Sequence, residues 1–153
     1  GVSVGAFDFV KDALDALGAE TKFWRVAMKP GKPVVLSRLR DRICFGLPGN
    51  PVSAFVSFHL FVAPAIRKML GQERDLFPPL VNVRLASTLR SADDRRTYFR
   101  ARAEPSGGEL VARPLATQGS GSLTSMVGAN ALVIIEPGTS AEAGSIVPAL
   151  LIG

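Results

Sequence analysis

Cysteine is nearly missing from this chain of 153 residues, where Cys44 stands alone. A single thiol excludes a disulfide scaffold and a multi-cysteine metal site, and it suits a reducing compartment. Flanked by Ile43 and Phe45, Cys44 reads as an inert buried thiol. Histidine is just as scarce: His59 lies alone in an apolar stretch and reads as a packed side chain rather than a base. No apolar run reaches the roughly 18 residues a membrane helix needs. The opening GVSVGAFDF carries no basic segment of the kind a signal peptide has. No RNA-binding aromatic motif, zinc finger or basic recognition helix is present, which argues against a nucleic-acid partner. No Ser-His-Asp pattern, HExxH or Walker sequence supplies a catalytic signature.

What is present resembles an ordinary soluble globular chain, expected to be cytoplasmic. Apolar residues make up 47% and charged residues 20%, enough for a core without staples. Eighteen Lys and Arg against thirteen Asp and Glu give a net charge of +5, which points to an anionic partner. The charge is local. Lys22, Arg25, Lys29, Lys32, Arg38, Arg40 and Arg42 face Asp41 alone within residues 22–42, whereas the stretch from Arg74 onward is close to neutral.

Two unlike halves follow along the chain. GVSVG reads as a strand end entering a glycine turn. Phe9, Val10, Ala13, Leu14 and Leu17 then have the spacing of one helix face, with Gly18 as the stop. FWRVAM, VVLSRL and ICFGL read as strands. A long helix, SAFVSFHLFVAPAIRKMLG, is apolar nearly all round and therefore expected to be buried, kinked at Pro64 and ended by Gly71. The first half is thus α/β. GQERDLFPPL is a plausible linker. Beyond it VNVRLA, TYFRARAE, ELVARPL, ALVIIE and SIVPALLI, separated by turn signals, indicate a small all-β barrel or sandwich, and SLTSMVG a single helical turn. The expected boundaries are 1–71 for the α/β part, 72–80 for the linker and 81–153 for the β domain.

Four constellations bear chemistry. In LPGNPVSA, Asn50 is a favoured N-cap and Pro51 is pre-set for the first helical position; the same helix start, with Pro48 and Gly49 before it, suits an anion. In GVSVGAFD, Asp8 is either an N-cap or a carboxylate at the end of a parallel strand, where it would hold Mg²⁺ only with help from a phosphate or a second carboxylate. In KPGKP, Lys29 and Lys32 flank a stiff Pro-Gly turn that suits a phosphate or oxyanion. Finally, Arg100 on its strand and Ser120 in its glycine turn are able to face one ligand, although strand alternation favours Arg100 on the solvent side.

Taken in order, GVSVGxxD, KPGKP and LPGNPVSA resemble the signature of the molybdopterin molybdenumtransferase family, which includes bacterial MoeA and the E domain of gephyrin. YFRAR and QGS fit the same pattern. The resemblance implies that residues 1–71 are the latter part of a three-layer molybdopterin-binding α/β domain and residues 81–153 a C-terminal barrel-like β domain. It implies Asp8 at the metal and molybdate site, and Lys29 and Lys32 toward phosphate or molybdate. Arg25 stands where relatives often have lysine. Pro48, Gly49, Asn50 and Pro51 fall on the substrate loop, with Arg100 and Ser120 contributed by the β domain.

The activity so implied is insertion of molybdate into adenylylated molybdopterin with release of AMP, assisted by Mg²⁺ and carried out by a homodimer. Because family members begin well upstream of GVSVG, the chain is expected to be a C-terminal fragment of such a parent and inactive alone. Two other functions stay open: a molybdopterin adenylyltransferase, against which the β-rich tail argues, and a non-catalytic scaffold module.

Overall fold

A computed structural model describes Val2 and residues 9–92, 94–119 and 126–152. Helix α1 (Val10–Ala16) forms where the apolar spacing places it. Its N-cap is Phe9, one residue beyond Asp8, and Asp8 lies outside the described residues. Gly18 ends α1 with the bonds of a Schellman turn: Gly18 N–H donates to Asp15 O and Ala19 N–H to Leu14 O. The helix buries none of its residues, and Phe9 and Leu17 are more than 60% exposed. The apolar face legible in the sequence is therefore uncovered in this chain.

Strands β1 (Glu20–Trp24), β3 (Val35–Leu39) and β4 (Arg42–Gly46) make an antiparallel sheet in the order β1-β3-β4. FWRVAM is not one strand. Arg25 takes a positive φ of 71° and ends β1, and Met28–Lys29 forms a separate two-residue strand, β2. Between them the chain closes a loop, with Arg25 N–H donating to Val34 O and Val26 N–H to Lys32 O. Those two bonds form the neck from which Lys29-Pro30-Gly31-Lys32-Pro33 projects, with the Lys29–Pro30 bond cis. Cys44, on β4, is partly exposed rather than buried, as its neighbour Ile43 stands 54% exposed.

The long helix runs from Pro51 to Met69 as α2 (Pro51–Ser57), a π turn (Phe58–Val62) and α3 (Ala63–Met69). The π turn is the structural answer to Pro64. Proline has no N–H for the carbonyl four residues back, and its ring crowds that turn. The ladder widens just ahead of it, so that Ala63 N–H reaches Phe58 O. Gly71 closes α3 with the bonding seen at Gly18, Gln72 N–H donating to Arg67 O. The helix is long and apolar enough to cross a bilayer by length and composition alone. It is also less buried than its apolar composition implies. Val52, Ser53, Val56, Ser57 and Pro64 are covered, while Ile66, Met69 and Leu70 are exposed, because only one side meets the rest of this chain.

All five longer strands expected in the second half form: β5 (Leu80–Leu85), β7 (Arg96–Ser106), β8 (Glu109–Pro114), β9 (Ala131–Ile135) and β11 (Ile146–Leu151). Two short strands, β6 (Leu89–Arg90) and β10 (Ser140–Ala141), pair with each other. The sheet order β7-β8-β5-β11-β9 closes through a β9–β7 pairing into a five-stranded barrel, which removes its edges. Its interior holds Val83, Leu85, Ala101, Ala112, Val133 and Ala149. Most of SLTSMVG, along with Ser120, falls outside the described residues.

The two halves are joined by more than the intervening chain. Strand β2 adds itself in parallel to β7, Met28 opposite Arg96 and Lys29 opposite Thr97. Beside this junction a second core brings together Met28, Val56 of α2 and Leu132 of β9, with Tyr98 and Leu150 packed against them. Helix α2 and the KPGKP loop are thereby fixed against the outside of the barrel.

Candidate functional site

A cleft of about 530 Å³ opens where the KPGKP loop, α2 and the barrel meet. Its described walls are Lys29 to Pro33, Ser53 of α2, the β6–β7 connection with Arg90 and Arg95, the first half of β7 from Thr97 to Arg100, and Gln118 and Gly119. Five of these residues are cationic: Lys29, Lys32, Arg90, Arg95 and Arg100. No carboxylate side chain is among the described lining residues.

The loop is held close to α2 by Gly31, whose φ of +106° is one that L side chains rarely adopt. A Cβ there would stand 2.6 Å from Met28 Cε and 2.7 Å from Ser57 Oγ. Lys29 and Lys32 both extend from this loop as exposed side chains on the cleft wall. The stiffness read from the prolines is thus reinforced by packing underneath.

Arg100 is 1% exposed, contrary to the solvent-facing position that strand alternation favours. The strand is covered on that side by the segment after β8. Arg100 Nη2 donates to Thr117 O at 3.1 Å and Gly119 O at 3.4 Å. Gln118 completes the clamp: its Oε1 accepts from Arg100 N–H, and its Nε2 donates to Arg100 O and Leu115 O. Burial pushes the Arg100 pKa down from its ordinary value, yet a guanidinium keeps its proton throughout the physiological range. The site thus contains a desolvated, fixed positive charge, and a cation in such surroundings acts on an anion far more strongly than one in water.

Arg90 and Arg95 were not among the residues singled out from sequence. The near-neutral balance after Arg74 hid them, because opposite charges were averaged along the chain rather than in space. The acidic residues there are largely engaged elsewhere: Glu109 with Arg84, Glu136 with Arg96 and Glu104 with Arg102. Arg90, Arg95 and Arg100 fall on the cleft instead. Ser91, 2% exposed, fixes the connection that carries two of them. Its hydroxyl lies 2.7 Å from Thr97 Oγ1 and donates to Arg95 O, and its N–H donates to Thr139 O.

Other expected residues lie elsewhere. Arg25 is outside the cleft lining; its guanidinium carbon stands 4.0 Å from the centre of the Trp24 ring, a cation–π contact. Of the seven cations in residues 22–42, only Lys29 and Lys32 line the cleft, so the concentration of charge in that segment is only partly a concentration at the site. Pro48, Gly49, Asn50 and Pro51 are also absent from the lining. Asn50 Oδ1 accepts from Val52 N–H at 3.1 Å and Ser53 N–H at 3.2 Å, so the side chain occupies the helix-start donors that an anion would use. Asp8 and Ser120 lie outside the described residues. His59 packs edge-on against Phe55 and Phe58. Among the described residues no group of three His, Cys, Asp or Glu comes together that could hold a metal ion.

Comparisons with known proteins match the chain in two stretches. Residues 1–68 match the family model described as "Probable molybdopterin binding domain", and residues 82–152 match "MoeA C-terminal region (domain IV)". The molybdenum cofactor synthesis protein cinnamon of Drosophila melanogaster is 44% identical over 97% of this chain, which spans 26% of that protein. The molybdopterin molybdenumtransferase of Bacillus subtilis is 37% identical over 99% of this chain and 35% of its own length. The solved structure of a molybdopterin biosynthesis MoeA protein from Pyrococcus horikosii superposes with a TM-score of 0.79 at 30% identity, over 95% of this chain and 35% of that one. The chain therefore spans about a quarter to a third of these relatives, and it belongs to the molybdopterin molybdenumtransferase family.

Proposed function

We propose that the cleft between the KPGKP loop and the barrel receives the anionic substrates of molybdenum cofactor assembly, and that the parent protein inserts molybdate into adenylylated molybdopterin with release of AMP. The observation that carries this reading is the set of five cations on a cleft whose described lining has no carboxylate. A doubly charged oxyanion entering there meets Lys29 and Lys32 on a stiffened loop and Arg100 pre-set by its bonds to Thr117 and Gly119. Such fixed charges need little reorganisation as a substrate's own charge shifts during reaction. On this reading Arg25, over the Trp24 ring and outside the described cleft lining, serves structure rather than substrate.

Magnesium is assigned to Asp8 together with a substrate phosphate, since one carboxylate alone cannot complete the six oxygens Mg²⁺ prefers. Ser120, next to Gly119 in sequence, is assigned to substrate binding. The reading also includes a homodimer, a cytoplasmic protein and no membrane contact. The long helix serves as packing, because its Val56 belongs to the core shared with Met28 and Leu132.

Titration of the chain with sodium molybdate by calorimetry tests the proposal. Lys29→Ala together with Lys32→Ala is expected to weaken molybdate binding at least tenfold, with an unchanged unfolding midpoint. An unaltered Kd in a folded double variant overturns it.

A further inference from the structure

We propose that Arg90 and Arg95 form a second anion subsite within the same cleft, one that takes the phosphate end of a substrate while Lys32 and Arg100 take the oxyanion. This inference rests on the reading of the cleft as an anion-binding site and adds a division of labour to it. The volume gives the first argument. About 530 Å³ falls in the range of pockets that enclose whole small molecules, well beyond the needs of one tetrahedral oxyanion.

The layout of the cations gives the second. Arg95 stands one residue ahead of β7, and Arg100 lies five residues further on. An extended chain covers roughly 16 Å in that interval, at about 3.3 Å per residue. Lys29 sits between them, opposite Thr97 in the β2–β7 register. Arg100 is held at its end by Thr117 and Gly119. At the other end, Arg90 is fixed opposite Ser140 in the β6–β10 pairing. Buried Ser91 ties the intervening connection to Thr97 and to Arg95 O. At one part of the cleft the backbone that carries Arg90 and Arg95 is fixed by these bonds, and at another the Arg100 guanidinium is itself held. That arrangement suits a ligand with two anionic groups, or two anions bound side by side.

Arg95 also meets Asp94, its Nε 3.6 Å from an oxygen of a carboxylate that is 94% exposed. A phosphate offers more oxygens and more charge than this exposed carboxylate and would compete with it for the guanidinium.

The experiment uses AMP as the phosphate probe and sodium molybdate as the oxyanion. The two are titrated separately and together into the chain and into the Arg90→Ala, Arg95→Ala double variant. The double variant is expected to lose at least tenfold more affinity for AMP than for molybdate, and saturating molybdate is expected to leave AMP bound. Restoring the charges as Arg90→Lys, Arg95→Lys is expected to recover part of the AMP affinity. Parallel losses for the two probes, or one-for-one displacement of AMP by molybdate, overturn the division into subsites. Binding of molybdate without AMP overturns this inference and leaves the broader reading standing. AMP binding without molybdate overturns the oxyanion assignment, and binding of neither overturns both.

Discussion

Lys29 of β2 lies directly opposite Thr97 of β7 in parallel register, so the lysine loop of the first half is stitched to the strand that carries Arg100 in the second. Arg100 is three residues along that strand, 1% exposed and bound to the carbonyls of Thr117 and Gly119. Arg100→Ala would leave both carbonyls without this donor and open a cavity beside β7. The expected cost is about 2–4 kcal/mol in denaturant unfolding, together with loss of molybdate binding. Arg100→Lys keeps the charge but not the fork, so stability is expected to recover partly and binding less. Equal unfolding midpoints for wild type and Arg100→Ala would contradict the account.

Gly31 makes the second prediction. Gly31→Ala places a methyl group within 2.7 Å of Ser57 Oγ at a φ of +106°, adding steric overlap to backbone strain. A loss of about 2 kcal/mol or more is expected, measured by chemical unfolding. Ser57 itself is fully buried, and its hydroxyl has no hydrogen-bond partner among the described residues. Ser57→Ala removes that desolvated group at little cost in packing, and stability is expected to hold or rise by up to about 1 kcal/mol. A clear drop for Ser57→Ala would show that the hydroxyl is engaged.

The parts legible in the sequence were those governed by local chemistry. Gly18 and Gly71 end their helices, Asn50 and Pro51 start one, and the alternating runs after Leu80 become barrel strands because each signal acts within a few residues. Lys29, Lys32 and Arg100 were found for their chemistry, but their meeting depends on the two-residue strand β2, too short to leave a period in the sequence. Arg90 and Arg95 carry no local signal of their own, because the acidic residues that balance them in the overall count, such as Glu109 and Glu136, pair with Arg84 and Arg96 instead. Burial departs from the local pattern in both directions. Arg100 is covered by a loop about 17 residues away, whereas the side of the long helix that carries Phe58, Ile66 and Met69 stays exposed.

Asn50 offers a test of capping against ligand binding. Its Oδ1 holds two N–H groups at the start of α2, so Asn50→Ala is expected to cost about 1 kcal/mol, and Asn50→Asp or Asn50→Ser much less. Because Asn50 lies outside the cleft lining, molybdate affinity is expected to change by less than threefold in Asn50→Ser. A tenfold loss of molybdate binding in a stable Asn50→Ser variant would place the LPGNP loop in the site after all.

His59 sets a pH dependence whose sign follows from its surroundings. Burial between Phe55 and Phe58, with a smaller push from Arg67, lowers its pKa below the ordinary value of 6.5. The folded state therefore resists protonating this ring, whereas the unfolded chain takes up the proton near 6.5. As pH falls through that value the unfolded state binds more protons than the native state, and stability declines until the folded-state pKa is passed. Above about pH 7.5 the ring is neutral in both states and contributes no slope. Unfolding midpoints at pH 7.5 and 5.5 are expected to differ more for wild type than for His59→Phe, with the wild type losing stability at the acid end. The same difference in both proteins would remove His59 as the source of the slope; Glu20 and Glu109, held below their ordinary value of 4.5 by Lys22 and Arg84, lose their stabilisation only at lower pH, below about 5.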